Sequence, residues 1–213
     1  MATVIENNEI RVDRLELGPY GTNAYIVVCQ KTGESLVVDA PGEAGEISEG
    51  LKGTNPRYLL LTHDHFDHTG ALDILREQLH FPLATHLKNT FKLKTPPEIL
   101  IEDGSRLSLG ELAVAVLHTP GHTPWSLCFK MGKILFAGDT IFPGGPGRTN
   151  SPQDFQQILA SITERIFNLP ADTVLYPGHG PETTVEKAKE EYAIFTSRPH
   201  EAGLCGDVLW LPS

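Results

Sequence analysis

The chain has 213 residues, of which 40% are hydrophobic and 21% charged, an ordinary composition for a globular protein with one large domain or two small ones. Its formal net charge of −10 argues against a nucleic-acid partner, because a nucleic-acid-binding surface has to neutralise phosphates. No apolar run reaches the length of a transmembrane helix and the amino-terminal segment does not resemble a secretory signal, so no membrane partner is expected.

The first half of the chain opens with three predicted strands. The segments IRVDRLELG, TNAYIVVCQ and ESLVVDA are separated by turns, and the alternation of apolar and polar residues in the first predicts an antiparallel meander. A helix is predicted over GEAGEISEGLKG, ending near Gly53. The nearly apolar RYLLLT that follows is typical of a strand buried on both faces.

The segment LTHDHFDHTGAL, residues 61–72, follows that buried strand, and the leucines of GALDILREQLH have helical spacing. The segment therefore lies at the carboxyl end of a strand, where α/β proteins tend to place their chemistry. If it is extended, His63, His65 and Asp67 point to the same side, while His68 can point elsewhere. Imidazole and carboxylate groups are typical ligands of zinc, iron and manganese, and four of them can be shared by two ions.

The second half has the same mixed character. Strands are predicted over RLSLG, LAVAVLHT, WSLCFKM, KILFAGD and TVLYPGHG, and helices over SPQDFQQILASITERIF and TTVEKAKEEYAIF. Ser151 is the expected N-cap of the first helix, with Pro152 at its first position. No linker or charge block separates the halves, so a single domain is predicted over residues 1–213, an α/β fold of two sheets with helices outside.

Further candidate ligands end three of the later strands, each at a turn rich in glycine or proline. The segment AVLHTPGHTPW offers His118 and His122, ILFAGDT offers Asp139, and VLYPGHG offers His179. Because a carboxylate has two oxygens, Asp139 can bridge two ions. Asp39, at the end of LVVDA, is either a hydrogen-bond acceptor for a ligand imidazole or a plain turn residue.

The combination of THDHFDH, TPGHT, GDT and PGHG resembles the metallo-β-lactamase superfamily, and GDTIFPGGPGRT with YPGHGPETT is similar to its glyoxalase II-like, or hydroxyacylglutathione hydrolase-like, branch in a short form. The resemblance implies an αβ/βα four-layer sandwich with two mixed β-sheets and helices on the outer faces. It also selects His122 over His118, because the ligand histidine of the family follows Pro-Gly. The implied ligands are His63, His65, His122 and Asp139 for one ion, and Asp67, His68, His179 and Asp139 for the other.

Two divalent ions are therefore the expected cofactors, and zinc is favoured. Iron and manganese are alternatives, because no cysteine is among the ligands to select zinc over them. A hydroxide held by both ions is the expected nucleophile, with Asp67 as the catalytic proton acceptor. Arg148, in the glycine-rich segment GGPGRT, is a candidate clamp for a substrate carboxylate, with a surface ion pair as the alternative.

The most favoured reaction is hydrolysis of a thioester, because a thiolate leaves without a protonating acid and no extra acid stands beside the histidines. The resemblance implies a hydroxyacylglutathione substrate. However, only 34 residues follow His179, too few for the helical domain that binds glutathione in full-length glyoxalase II enzymes. The alternatives are a mononuclear iron dioxygenase acting on persulfides, with His63, His122 and Asp139 as a facial triad, and a lactone or ester hydrolase.

The cysteines, Cys29, Cys128 and Cys205, are odd in number and widely spaced, which is typical of reduced thiols. Reduced thiols predict a cytoplasmic protein. A monomer or homodimer that acts on a small-molecule substrate is also expected.

Overall fold

A computed structural model describes residues 1–92, 94 and 96–212. The chain forms two compact units, Met1–Val116 and Leu117–Ser213, and each is described by itself.

The first unit is built on a mixed sheet whose seven strands are neighbours in their chain order. The strands are β1 (Ala2–Glu6), β2 (Ile10–Leu17), β3 (Thr22–Cys29), β4 (Glu34–Val38), β5 (Asn55–Leu60), β6 (Leu83–His86) and β7 (Ile99–Ile101). Strands β1 to β4 pair antiparallel and β4 to β7 pair parallel. Strands β2 to β4 confirm the predicted meander, whereas β1 was not predicted. Two further strands, β8 (Arg106–Leu109) and β9 (Leu112–His118), pair antiparallel with each other.

Three α-helices accompany this sheet: α1 (Ala44–Gly50), α2 (Phe66–Thr69) and α3 (Leu72–Leu79), and a 3₁₀-helix covers Leu87–Lys92. The predicted helical spacing in α3 is confirmed, since Leu72 and Leu75 are buried in a core shared with Ile47 of α1 and with apolar residues of the sheet. Helix α1 ends three residues before Gly53, where the sequence predicted its end. The carbonyl of Leu51, the residue after the helix, accepts a hydrogen bond from the hydroxyl of Thr54 at 2.7 Å. This contact closes a turn, so the chain leaves the helix before Gly53.

The second unit contains β10 (Leu127–Met131), β11 (Ile134–Gly138), β12 (Ile141–Phe142), β13 (Gly145–Pro146), β14 (Val174–Pro177) and β15 (Thr183–Thr184). Four of these strands lie in the order β15-β14-β11-β10, in which β11 and β14 are parallel and the outer pairs antiparallel. Strands β12 and β13 form a small separate hairpin. Each unit thus contributes strands in mixed pairing together with helices, as the sequence predicted.

The helices of the second unit are α4 (Pro152–Ser161), a π-helical turn (Ile162–Ile166) and α5 (Val185–Thr196). The predicted start of α4 is confirmed: Ser151 accepts the backbone N–H of Asp154 at 3.1 Å, and Pro152 occupies the first position. The predicted continuation to the end of ITERIF is π-helical rather than α-helical. None of the described helices is long and apolar enough to cross a membrane.

The thiols are free, as expected, but differ in accessibility, since Cys29 and Cys128 are buried and Cys205 is exposed. Burial raises the pKa of Cys128 to about 11, which leaves almost no thiolate at neutral pH. We therefore expect brief treatment of the native protein with N-ethylmaleimide to add one maleimide, at Cys205, as measured by intact mass and peptide mapping. Rapid modification of Cys128 in the folded chain would contradict the structure, and unfolding in guanidinium should expose all three thiols.

Candidate metal centre

The histidine-rich loop leaves the end of β5, and His65 is the N-cap of the short helix α2, with extended backbone angles. Nε2 of His63 and Nδ1 of His65 lie 3.1 Å apart. Tetrahedral zinc with Zn–N bonds of about 2.0–2.1 Å separates its nitrogen ligands by about 3.3 Å. The two imidazoles therefore have a spacing suited to ligands of one ion.

The extended path expected from His63 to Asp67 is wrong beyond His65. Helix α2 begins at Phe66, so the alternation of side chains stops there, and Asp67 lies on the helix beside His68 instead of in line with His63 and His65. Oδ2 of Asp67 is 3.6 Å from Nε2 of His68. The loop therefore presents two pairs of candidate ligands, one extended and one helical.

Asp39 orients the helical pair from the end of β4. Its side chain is buried and accepts three hydrogen bonds of 2.8 Å, from the N–H and the hydroxyl of Thr62 and from Nδ1 of His68. Its φ of +60° is a left-handed conformation that aspartate tolerates better than most residues. Because the carboxylate can only accept, neutral His68 carries its proton on Nδ1 and presents the lone pair of Nε2 to a metal.

Thr62 orients His63, one of the two histidines in the extended part of the loop, in a similar way. Its hydroxyl lies 3.0 Å from Nδ1 of His63 and donates its own proton to Asp39, so it accepts the Nδ1 proton of His63. His63 therefore also presents Nε2. Sequence reasoning identified Asp39 as a candidate but missed Thr62, although its place directly before His63 was a signal that could have been used.

The parallel pairing of β11 with β14 positions the candidate ligands of the second unit. Gly138 is opposite Pro177, so Asp139 and His179 follow the carboxyl ends of two neighbouring strands on the same side of the sheet. Oδ2 of Asp139 is 3.6 Å from Nε2 of His179 and 3.5 Å from Nε2 of His122. These separations exceed the 2.7–2.9 Å of a good charge-assisted hydrogen bond and suit donor atoms that share an ion. One carboxylate oxygen faces both imidazoles, which suits a bridging ligand.

His122 is oriented by a backbone group. Its Nδ1 is 2.9 Å from the carbonyl oxygen of Arg148, and because a carbonyl can only accept, Nδ1 carries the proton and Nε2 is left for a metal. His118 is held differently: its Nε2 donates to the carbonyl of Pro124 at 3.0 Å, and its ring stacks on Trp125. The structure therefore brings His122 to Asp139, whereas Nε2 of His118 is engaged with the carbonyl of Pro124.

The side chain of Arg148 makes the ion pair that was the alternative to substrate binding. Its Nη1 is 3.1 Å from Oδ2 of Asp207, and both side chains are largely exposed. Exposed pairs contribute little to stability, so this contact does not prevent the guanidinium from binding a carboxylate of a substrate.

The donor set consists of imidazoles and carboxylates, which suits zinc, iron and manganese. A family model described as "Metallo-beta-lactamase superfamily" matches residues 17–179. The chain belongs to the metallo-β-lactamase superfamily. This match confirms the predicted fold class, and it makes the chain a member of a superfamily of metal-dependent hydrolases, with the histidine and aspartate clusters as candidate metal ligands.

Two relatives match this chain over most of their length, and the name of one of them fits the glyoxalase II-like branch at moderate identity. The "Probable metallo-hydrolase YqgX" of Bacillus subtilis is 35% identical over 194 residues, which cover 81% of this chain and 91% of the relative. The "Hydroxyacylglutathione hydrolase GloC" of Haemophilus influenzae is 29% identical, and the match covers 77% of this chain and 88% of the relative.

Two solved structures are also similar. The BLEG-1 B3 metallo-beta-lactamase is 32% identical with a TM-score of 0.76, and the match covers 84% of this chain and 96% of that one. The protein TTHA1623, solved in a di-iron-bound form, is 31% identical with a TM-score of 0.70, and the match covers 82% of this chain and 96% of that one.

Proposed function

We propose that the chain is a dinuclear metal-dependent hydrolase that acts on thioesters of the hydroxyacylglutathione type. The proposed ligands of one ion are His63, His65, His122 and Asp139, and those of the other are Asp67, His68, His179 and Asp139. The observation that supports this most is the repeated donor spacing: within each unit, pairs of imidazole and carboxylate atoms stand 3.1–3.6 Å apart at the ends of strands or in the loop that follows.

Two bound divalent ions would lower the pKa of a coordinated water and polarise the carbonyl of the substrate. The protein's own contribution is orientation, since Asp39, Thr62 and the carbonyl of Arg148 hold three imidazoles in the tautomer that exposes Nε2. Asp67, whose Oδ2 lies 3.4 Å from the hydroxyl of Thr22, is the proposed acceptor of the water proton.

A thioester substrate is supported by the chemistry of its leaving group and by the GloC relative. A thiol has a pKa near 8.5, so thiolate leaves without a general acid. The match to GloC covers 88% of that protein, so a relative not much longer than the matched segment carries the hydroxyacylglutathione hydrolase name.

The proposed role of Arg148 predicts a binding defect. We expect Arg148→Ala to raise KM for S-lactoylglutathione by about tenfold, the scale of one lost charge-assisted hydrogen bond, with metal content unchanged. Asp207→Ala is the matched control, because it breaks the same ion pair and leaves the guanidinium available. Its KM should stay equal or fall. Unchanged kinetics in Arg148→Ala would remove this residue from the substrate site.

The proposed function is tested by metal analysis of the purified protein together with assays of thioester hydrolysis, lactone hydrolysis and oxygen uptake with glutathione persulfide. We expect two equivalents of metal and release of thiol from S-lactoylglutathione. Zinc remains the expected metal, and the di-iron form of TTHA1623 supports iron as the alternative. One equivalent of iron with oxygen consumption would instead support the persulfide dioxygenase. Turnover of lactones alone would support a lactone or ester hydrolase.

A pair of histidine variants tests the ligand assignment within this experiment. We expect His122→Ala to lose metal, whereas His118→Ala should keep both equivalents, because its ring is engaged with Pro124 and Trp125. Equal metal loss in the two variants would contradict the assignment.

A further inference from the structure

The orientation of His122 depends on the position of a backbone carbonyl, that of Arg148, which lies outside regular secondary structure. A shift of this carbonyl would release Nδ1 and allow the proton to move to the nitrogen that faces Asp139. The contacts that fix the loop of residues 144–149 therefore also fix the orientation of His122, the proposed ligand.

One side of this loop is fixed by the chain that precedes it. The N–H of Gly147 donates to the carbonyl of Thr140 at 3.3 Å, and a Cβ at position 147 would lie 1.8 Å from the carbonyl oxygen of Asp139. Only a glycine permits this approach.

The other side is fixed by a short segment near the carboxyl end, Gly206–Trp210, which we call the strap. Thr149 and Gly206 exchange two backbone hydrogen bonds of 3.0 and 3.2 Å, and the N–H of Trp210 donates to the carbonyl of Gly144 at 2.7 Å. Between these points, a Cβ at Gly145 would lie 2.5 Å from the carbonyl oxygen of Val208. Loop and strap are therefore in direct backbone contact along several residues.

The strap is itself anchored in the core of the second unit. Trp210 is fully buried, with its ring 5.1 Å from that of Tyr192 and 6.3 Å from that of Phe167. Arg198 donates to the carbonyl of Trp210, and Val208 is also buried. The strap thus connects the loop by backbone contacts to residues that are packed in the core.

We propose that the strap is a positioning element for the metal centre, which fixes the tautomer and direction of His122 through the backbone of Arg148. This inference rests on the proposed role of His122 as a ligand. Hydrogen-bond partners of ligand histidines change metal affinity by about 10- to 100-fold, so the strap is expected to have an effect of that size although none of its residues is a proposed ligand.

The test is Gly145→Ala, which pushes the strap from the loop without demanding a left-handed backbone at residue 145. We expect Zn²⁺ affinity of one of the two equivalents, measured by competition with a chromophoric chelator, to fall about 10- to 100-fold. In the metal-free chain, nitrogen NMR of the histidine ring should show that His122 no longer keeps a single Nδ1–H tautomer. Gly45→Ala, which changes a glycine with open space around it outside the loop and the strap, should leave both readouts as in the parent.

Parent affinity and a single tautomer in a folded Gly145→Ala protein would overturn the proposal. If that variant does not fold, Gly206→Ala takes its place, because it strains the residue that pairs with Thr149 at a φ of +89° and meets no neighbouring atom. The variant His122→Ala distinguishes failure of the proposed ligand role of His122 from failure of the proposed role of the strap. Loss of metal there with unchanged affinity in the strap variants rejects the strap alone, whereas unchanged affinity in His122→Ala rejects the ligand role and the strap with it.

Discussion

Replacement of Asp139 by alanine is expected to remove most of the bound metal and to lower kcat/KM for a thioester by at least about 10³-fold, the scale of losing one essential charge-stabilising group. A single oxygen of Asp139 faces both His122 and His179, at 3.5 and 3.6 Å. Removing it takes a ligand from each proposed ion and leaves like-charged ions without the anion between them. Metal content by mass spectrometry and initial rates at several substrate concentrations measure the two effects.

Two aspartate variants serve as controls. Asp139→Asn keeps the size of the side chain and removes its charge, so it should also lose metal if the bridging role is right. Asp172→Ala removes an exposed carboxylate of the same unit, whose pKa is lowered by its hydrogen bond with Lys133, and should change neither metal content nor rate. Near-full metal occupancy in Asp139→Ala would exclude Asp139 as a ligand of both ions.

Asp39→Asn is expected to weaken metal binding by about 10- to 100-fold while the fold is kept, because its effect falls on hydrogen bonds that orient ligands. Asparagine tolerates the left-handed backbone at this position. Its amide can still accept from the N–H of Thr62, but the NH₂ group then faces Nδ1 of His68 and favours the opposite tautomer, with the proton on Nε2. Chelator competition and histidine NMR of the metal-free chain measure the two consequences.

The matched control for Asp39 is Asp13→Asn, which alters another buried carboxylate of the first unit, paired with Arg11 and Thr3. It should lower the free energy of unfolding and leave metal affinity unchanged. Thr62→Val, which removes the hydroxyl between Asp39 and His63, should reproduce the part of the effect that concerns His63. Parent affinity in both Asp39→Asn and Thr62→Val would show that the observed hydrogen bonds do not control the tautomers.

The sequence predicted those features that have a periodic or compositional signature. The leucine spacing of α3, the Ser-Pro start of α4 and the apolar strand before His63 all follow from local physical rules, and the structure contains them. The pairing of imidazoles could be anticipated because ligand types recur after strands. The resemblance, rather than spacing, selected His122 over His118, since the two lie four residues apart at the end of the same predicted strand.

Apart from the side chain of Thr62, the features that the sequence did not predict depend on backbone groups or on very short elements. The carbonyl of Arg148 has no side-chain signature, so its bond to His122 could not be read from residue types. The hairpin of Ile141–Phe142 with Gly145–Pro146 is too short to show alternation. The helical turn at Phe66, which redirects Asp67, covers only four residues and competes with an extended alternative.

The fit of Gly147 against the chain also limits how this protein can be re-engineered. Since a Cβ at this position would lie 1.8 Å from a backbone oxygen, rotamer choice cannot relieve the overlap. A saturation library across residues 143–149 should therefore return glycine alone at 147, whereas exposed Arg148 should accept many replacements in a selection for folding only. Changes to the substrate range of the proposed hydrolase can therefore be made at exposed Arg148 and at the half-exposed residues 142–144, but not at Gly147.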